Sequence, residues 1–136
     1  MDASLPRFSA LSGADGVLDR ITGLLWESAP SGRLMSWAEA QRYALAEGWR
    51  MPTIGEIASL LAGLVDGHPF LFSAPGLVFW STSESPFAPA THARVATCEA
   101  SARFTVHLLD KGGSACLWGV RGPLGPPGLT AGGSRA

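Results

Sequence analysis

Apolar positions recur with the period of a helix from Ser36 to Gly48 and again from Thr53 to Leu64, and after Leu77 the pattern changes to that of strands. In the first stretch Ser36 followed by Glu39 is a capping box, and the helix it opens is expected to run through WAEAQRYALAE to a stop at Gly48. At 100° per residue Trp37, Ala40, Ala44 and Leu45 share the inner side, leaving Glu39, Arg42 and Ala46 as the outer stripe. Trp49-Arg50-Met51-Pro52 cannot continue this helix, because proline drives its predecessor out of the α region. Thr53 and Glu56 then form a second capping box. The helix behind it turns Ile54, Ile57, Leu60, Leu61 and Leu64 inward and Glu56, Ser59 and Gly63 outward. Arg50 and Glu56 flank the corner and are expected to pair across it.

Upstream, Val17 to Asp19 and Leu24 to Glu27 flank Arg20-Ile21-Thr22-Gly23 as a hairpin, with Gly23 taking the positive φ and Trp26 anchoring it to the core. Downstream, Val65 to Pro75 reads as an irregular connection, Leu77 to Trp80 as a buried strand, and STSESPFAPAT as a surface loop. The last third alternates as a meander, with strands at Thr91 to Thr97, Arg103 to Leu109 and Ser114 to Arg121. With loops at Glu99 to Ala102 and Asp110 to Gly113, Val95, Val106 and Leu117 lie opposite one another, and Phe104 and Leu108 join them on a core face. The reverse face then carries Arg94, Arg103, Thr105, His107 and Trp118. Cys98 and Cys116 fall on the first and third strands at different heights, too far apart for a disulfide, so two thiols are expected. The pattern places an N-terminal extension at 1–13, one α+β domain at 14–122, and a flexible Pro/Gly-rich tail at 123–136. The GPL-GPP-GLT run at the start of the tail mimics collagen triplets, but three triplets cannot hold a triple helix.

A chain of 136 residues with 46% hydrophobic and 15% charged residues has enough apolar material for one packed core, which excludes wholesale disorder. Its net charge of −1 removes the general attraction that nucleic acid or an anionic membrane requires, so neither is an expected partner. The longest uncharged stretch, Gly67 to Ser83, is broken by Pro69 and Pro75 and falls short of the ~20 apolar residues that span a bilayer. The first residues carry no basic cluster followed by an apolar run, so no secretory signal is read in them.

Reaction chemistry needs a nucleophile with a base, paired carboxylates or a cofactor fingerprint. Ser81, Thr82 and Ser83 beside Glu84 lack an identifiable base, and no G-x-S-x-G elbow or phosphate loop occurs. The expectation is a non-enzyme without cofactor. Asp15 and Asp19 are too sparsely supported by other oxygens for calcium, and His68, His92 and His107 lack metal-ligand spacing, so no metal is expected. Trp26, Trp37, Trp49 and Trp80 have faces that could stack on sugars, but they sit at element ends and apolar faces and read as core. The set best suited to hold a ligand is Arg94, Arg103, His107, Trp118 and Arg121, which could serve an anionic sugar by charge and stacking. With two or three guanidinium groups acting, affinity per subunit is weak and would gain from homo-oligomers.

Several of these segments, in this order, resemble the C-terminal domain family of the Legionella collagen-like protein (Lcl). Its opening turn is similar to Asp15-Gly16-Val17-Leu18-Asp19 and Thr22-Gly23-Leu24-Leu25-Trp26, and its first helix to Trp37-Ala38-Glu39-Ala40. The most specific likeness is the corner Trp49-Arg50-Met51-Pro52-Thr53-Ile54-Gly55-Glu56-Ile57, joined by Trp80-Ser81-Thr82-Ser83 and the closing Leu117-Trp118-Gly119-Val120-Arg121. The likeness covers residues 14–122. It implies a compact C-type-lectin-like domain, related at a distance to the formylglycine-generating-enzyme fold. It also implies an adhesin-like or carbohydrate-binding role, secreted or at the cell surface, with sulfated polysaccharide as one ligand class and a polysaccharide or protein partner. An intracellular interaction or assembly subunit and a phage-type receptor-binding domain are the alternatives. The chain departs from the family where cysteine is frequent in the closing strand and Trp118-Gly119 stands here, which puts any family disulfide in doubt.

Overall fold

The computed structural model describes residues 6–10, 16–31, 33–64, 76–100 and 103–122. It is an α+β arrangement of two helices and two antiparallel sheets. The first sheet has the order β1-β2-β3-β7, formed by Phe8–Ala10, Gly16–Asp19, Leu25–Glu27 and Val120–Arg121. The second has the order β4-β5-β6, formed by Val78–Glu84, His92–Ala100 and Arg103–Asp110. The expected connection at 65–75, the tail at 123–136, Asp15 and His68 lie outside the described residues.

The hairpin forms as read. Val17 pairs with Trp26 and Leu18 with Leu25, and Gly23 takes φ 78° while its N–H donates to Asp19 O at 2.8 Å. Within the expected N-terminal extension Phe8–Ala10 form β1, whose Phe8 is buried in the core and whose Ser9 pairs with Leu18. Arg7 locks this edge strand by a two-pronged ion pair to buried Asp19, at 2.9 Å on each oxygen.

Both helices begin at their capping boxes: α1 spans Trp37–Ala46 behind Ser36, and α2 spans Ile54–Ala62 behind Thr53. At the end of α1, Gly48 takes φ 81° and its N–H donates to Leu45 O. Trp49 N–H donates to Ala44 O, which completes a Schellman stop. Leu45 is a correction, since it is 73% exposed rather than inward. The buried stripe centres on Ala40 and Ala44 and takes in Trp37 and Tyr43, which leaves Leu45 about 120° away on the wheel. Glu56 is the second correction. Expected outside, it is 9% exposed because Arg50 neutralises it with two bonds of 2.8 and 2.9 Å, while its Oε1 also accepts the Thr53 N–H.

The last third is where expectation and structure part. β4 runs on through Ser81–Glu84, residues expected in a loop. Its hydroxyls serve the fold: Ser81 Oγ donates to Arg94 O, and Ser83 Oγ accepts the Ile54 N–H at the start of α2. β5 pairs with β6 one residue away from the expected register, so Val95 faces His107 and Ala96 faces Val106. The cause is a bulge at Glu99: Ala100 pairs with Arg103 but Cys98 with Phe104. The expected third strand does not join β6. Residues 115–117 instead lie on the far side of β4, where Cys116 bridges Phe79 and Ala115 bridges Met35, and the chain then crosses to pair Val120 with Trp26.

The middle of β4 and β5, at Phe79–Trp80 and Val95–Ala96, is consequently buried on both faces. Phe79, Ala96 and Cys98 join α2 and the first sheet in one cluster, while Trp80, Ala93 and Val95 join α1, Trp49 and Met51 in the other. A strand covered on both sides reads as a near-continuous apolar run, so its sequence does not say which face is which. Indole N–H groups fasten the two clusters across long sequence separations, from Trp80 to Met35 O at 2.7 Å, Trp37 to Ser81 O at 2.9 Å and Trp118 to Glu27 O at 2.8 Å. Trp26, Trp37, Trp49 and Trp80 are core or core-edge residues, as read.

Candidate functional site

The five residues singled out from the sequence are not brought together. Trp118 is fully buried, edge-on to Trp26 with ring centres 5.9 Å apart and tilted against Phe79 at 5.4 Å. Its ring faces the core because the chain passes here from Cys116, beside β4, to Gly119, beside β3, and not along β6. Arg121 is exposed but lies on the first sheet, where its guanidinium stacks 3.9 Å over the Trp49 ring and its Nε donates to Gly48 O at 2.7 Å. That arrangement fastens the end of α1 to β7. Arg94 is opposite Leu108, on the face of the second sheet that carries Phe79 and Ala96. The one-residue register shift moved it away from Arg103 and His107.

Arg103 and His107 do share a face, and two residues the sequence reading omitted join them. Thr97 Oγ1 and His107 Nε2 are hydrogen-bonded at 2.7 Å, and Thr105 Oγ1 donates to Glu99 Oε2 at 3.1 Å. The paired rows Thr97–Thr105 and Val95–His107 set the spacing, and the bulge turns Glu99 onto this side. The result is an exposed ladder of hydroxyl, imidazole, carboxylate and guanidinium groups on two paired strands. Glu99 was legible only as a loop residue, and no signal in the sequence locates a bulge there. Thr97 could have been found from strand alternation once the register was known.

Other polar groups are committed to structure. Burial opposes the charged form of Asp19, but the bonds from Arg7 and from the Ile21 N–H outweigh it and hold the carboxyl below its ordinary range. Glu27 goes the other way. Burial lifts its carboxyl above the ordinary range although Oε1 accepts the Gly119 N–H at 2.7 Å. A Cβ at Gly119 would stand 2.7 Å from Trp49 Cβ and 2.9 Å from Glu27 Oε1, so this position admits no side chain without displacement. Cys98 and Cys116 are buried and form no disulfide, as expected, and burial pushes both thiols up. His92 Nδ1 is bonded to Thr91 Oγ1.

A shallow depression of about 240 Å³ is lined by Gln41, Leu45, Arg50, Met51 and Thr82. It is below the roughly 300–1,000 Å³ of a small-molecule pocket, and its arginine is occupied by Glu56. Among the described residues no group of three His, Cys, Asp or Glu could hold a metal ion, and no described helix is long and apolar enough to cross a membrane. No protein-family model matches the chain, and a comparison with curated proteins finds no match either.

Proposed function

We propose that this chain is a recognition domain that works by binding rather than catalysis, with the Thr97, Glu99, Arg103, Thr105 and His107 ladder as its contact face and a hydroxyl-rich, anionic carbohydrate as its ligand. The observation that supports this reading is the ladder itself. It is an open polar surface on paired strands, whose hydroxyls, carboxylate and imidazole suit sugar hydroxyls while Arg103 suits a sulfate or carboxylate. The resemblance to the Lcl C-terminal family, with its C-type-lectin-like fold and adhesin-like role, agrees with this ligand class and belongs to the same proposal. Only Arg103 and His107 are shared with the five residues read from the sequence, because Arg94 and Trp118 lie on the other face or in the core and Arg121 stacks on Trp49.

One guanidinium and its neighbours give modest affinity per site, so truncating Arg103 should cost about 1–2 kcal/mol, roughly a 5–30-fold loss. The test is retention on immobilised heparin at low salt, where exposed charge contacts are least screened. Arg103→Ala and His107→Ala are expected to elute early and Arg94→Ala with the parent. Equal elution of all three variants and the parent would reject the face.

A further inference from the structure

β6 is the edge of the second sheet, and among the described residues no segment pairs with its outer side. Proteins usually protect such an edge with lysine, proline, a bulge or an inward charge. From Phe104 to Leu109 the sequence FTVHLL offers none of these. Val106 and Leu108 are each 42% exposed, on the face over which α2 packs, and Phe104 on that same face is only partly buried against the core. We infer that β6 pairs antiparallel with β6 of a second copy of this chain, centred on Val106, to make a continuous six-stranded sheet.

Geometry restricts the choice of register. A twofold axis relating two antiparallel edge strands stands perpendicular to the sheet, so a residue can face only itself or a residue on the same side of the strand. Centring on Val106 sets Val106 against Val106, and Phe104 against Leu108 in both directions. All the exposed apolar groups of the strand then meet in one stripe between the two α2 helices. On the reverse side Thr105 faces His107 of the other copy, and Arg103 faces Leu109. No like charges stand directly opposite. Centring on His107 would put His107 against itself and Phe104 against Asp110. Centring on Thr105 would leave Leu108 beyond the end of the partner strand. Of these registers the Val106 one alone sets Phe104, Val106 and Leu108 wholly against one another, and this complementarity of the exposed face is what makes a second copy the fitting occupant.

The inference stands apart from the carbohydrate reading, since it concerns a backbone edge and not the ligand, and it is tested without one. Sedimentation velocity of the full chain from low to high micromolar concentration should show the mass rising from 14.2 kDa towards twice that value. Val106→Lys sets two ammonium groups face to face and should stay monomeric while keeping the parent's circular dichroism, because the site is part-exposed. Val106→Cys should form an inter-chain disulfide under mild oxidation, as directly opposed strand residues have the Cα spacing a disulfide needs. Thr105→Cys, which would face His107, should not. A parent that remains at 14.2 kDa throughout, a Val106→Lys variant that still dimerises, or cross-linking at residue 105 in place of 106 would each overturn the inference.

Discussion

Replacing Trp118 separates a core residue from a ligand platform, and the structure fixes the size of the effect. The ring is fully buried between Trp26 and Phe79, and its N–H is the donor to Glu27 O at 2.8 Å. Truncation to alanine forfeits about 3–5 kcal/mol of burial and packing, and losing two aromatic neighbours adds about 1 kcal/mol. The expected cost is therefore about 4–6 kcal/mol, a large share of the roughly 5–15 kcal/mol that holds a domain together. Phenylalanine is the more informative change. It keeps most of the ring but leaves the Glu27 carbonyl without its indole donor, at about 1–3 kcal/mol. Urea unfolding followed by far-ultraviolet circular dichroism gives the readout. With a slope of about 2 kcal/mol per molar, Trp118→Phe should move the midpoint down by about 1 M and Trp118→Ala by about 2–3 M. Heparin retention of the still-folded Trp118→Phe protein should equal the parent's. An unmoved midpoint together with lost retention would refute the placement and restore Trp118 as a contact residue.

Three further outcomes follow from the buried polar groups. Glu56→Ala removes both bonds from Arg50 and half of the α2 capping box, so stability should fall by about 3 kcal/mol in the same urea assay. Glu27 has a folded value raised above its ordinary 4.5, so the native state holds that proton more tightly than the unfolded chain does, and stability declines as pH rises through the folded value. Glu27→Gln should accordingly melt higher than the parent at pH 7 and lose that advantage below about pH 4.5, as thermal scans across pH will show. Cys98 and Cys116 are buried with thiols pushed up, so both should resist alkylation in the folded protein and react together, two per chain, once urea unfolds it.

The parts of this fold that were legible in the sequence are those fixed by local chemistry. Ser36 with Glu39 and Thr53 with Glu56 mark helix starts because the cap bonds span three residues, and Gly23 and Gly48 mark turns because each needs a positive φ. The Arg50–Glu56 pair was legible for the same reason, though not its burial, which depends on β7 closing over the corner through the Arg50–Val120 bridge. The site was legible only in part. Arg103, Thr105 and His107 alternate on one strand and had to share a face, whereas the position of Arg94 hung on a bulge at Glu99 that no residue type announces. The expected place of Trp118 fails because Phe79–Trp80 and Val95–Ala96 put apolar residues on both faces of the sheet centre, and a third strand could be laid at either edge with equal local support. The choice between β6 and β4 as its neighbour is made by the two clusters together, a tertiary decision that period-two alternation does not encode.

In the function proposed, the polar ladder of β5 and β6 is the surface that meets ligand. Its most direct test is a titration of the isotope-labelled chain with a heparin-derived oligosaccharide, followed by backbone amide shifts. The largest changes should fall on Thr97, Glu99, Arg103, Thr105 and His107, with Trp118, Arg121 and the α1 depression unmoved. Shifts concentrated around Gln41, Leu45 and Thr82, or no shifts at saturating sugar, would contradict it.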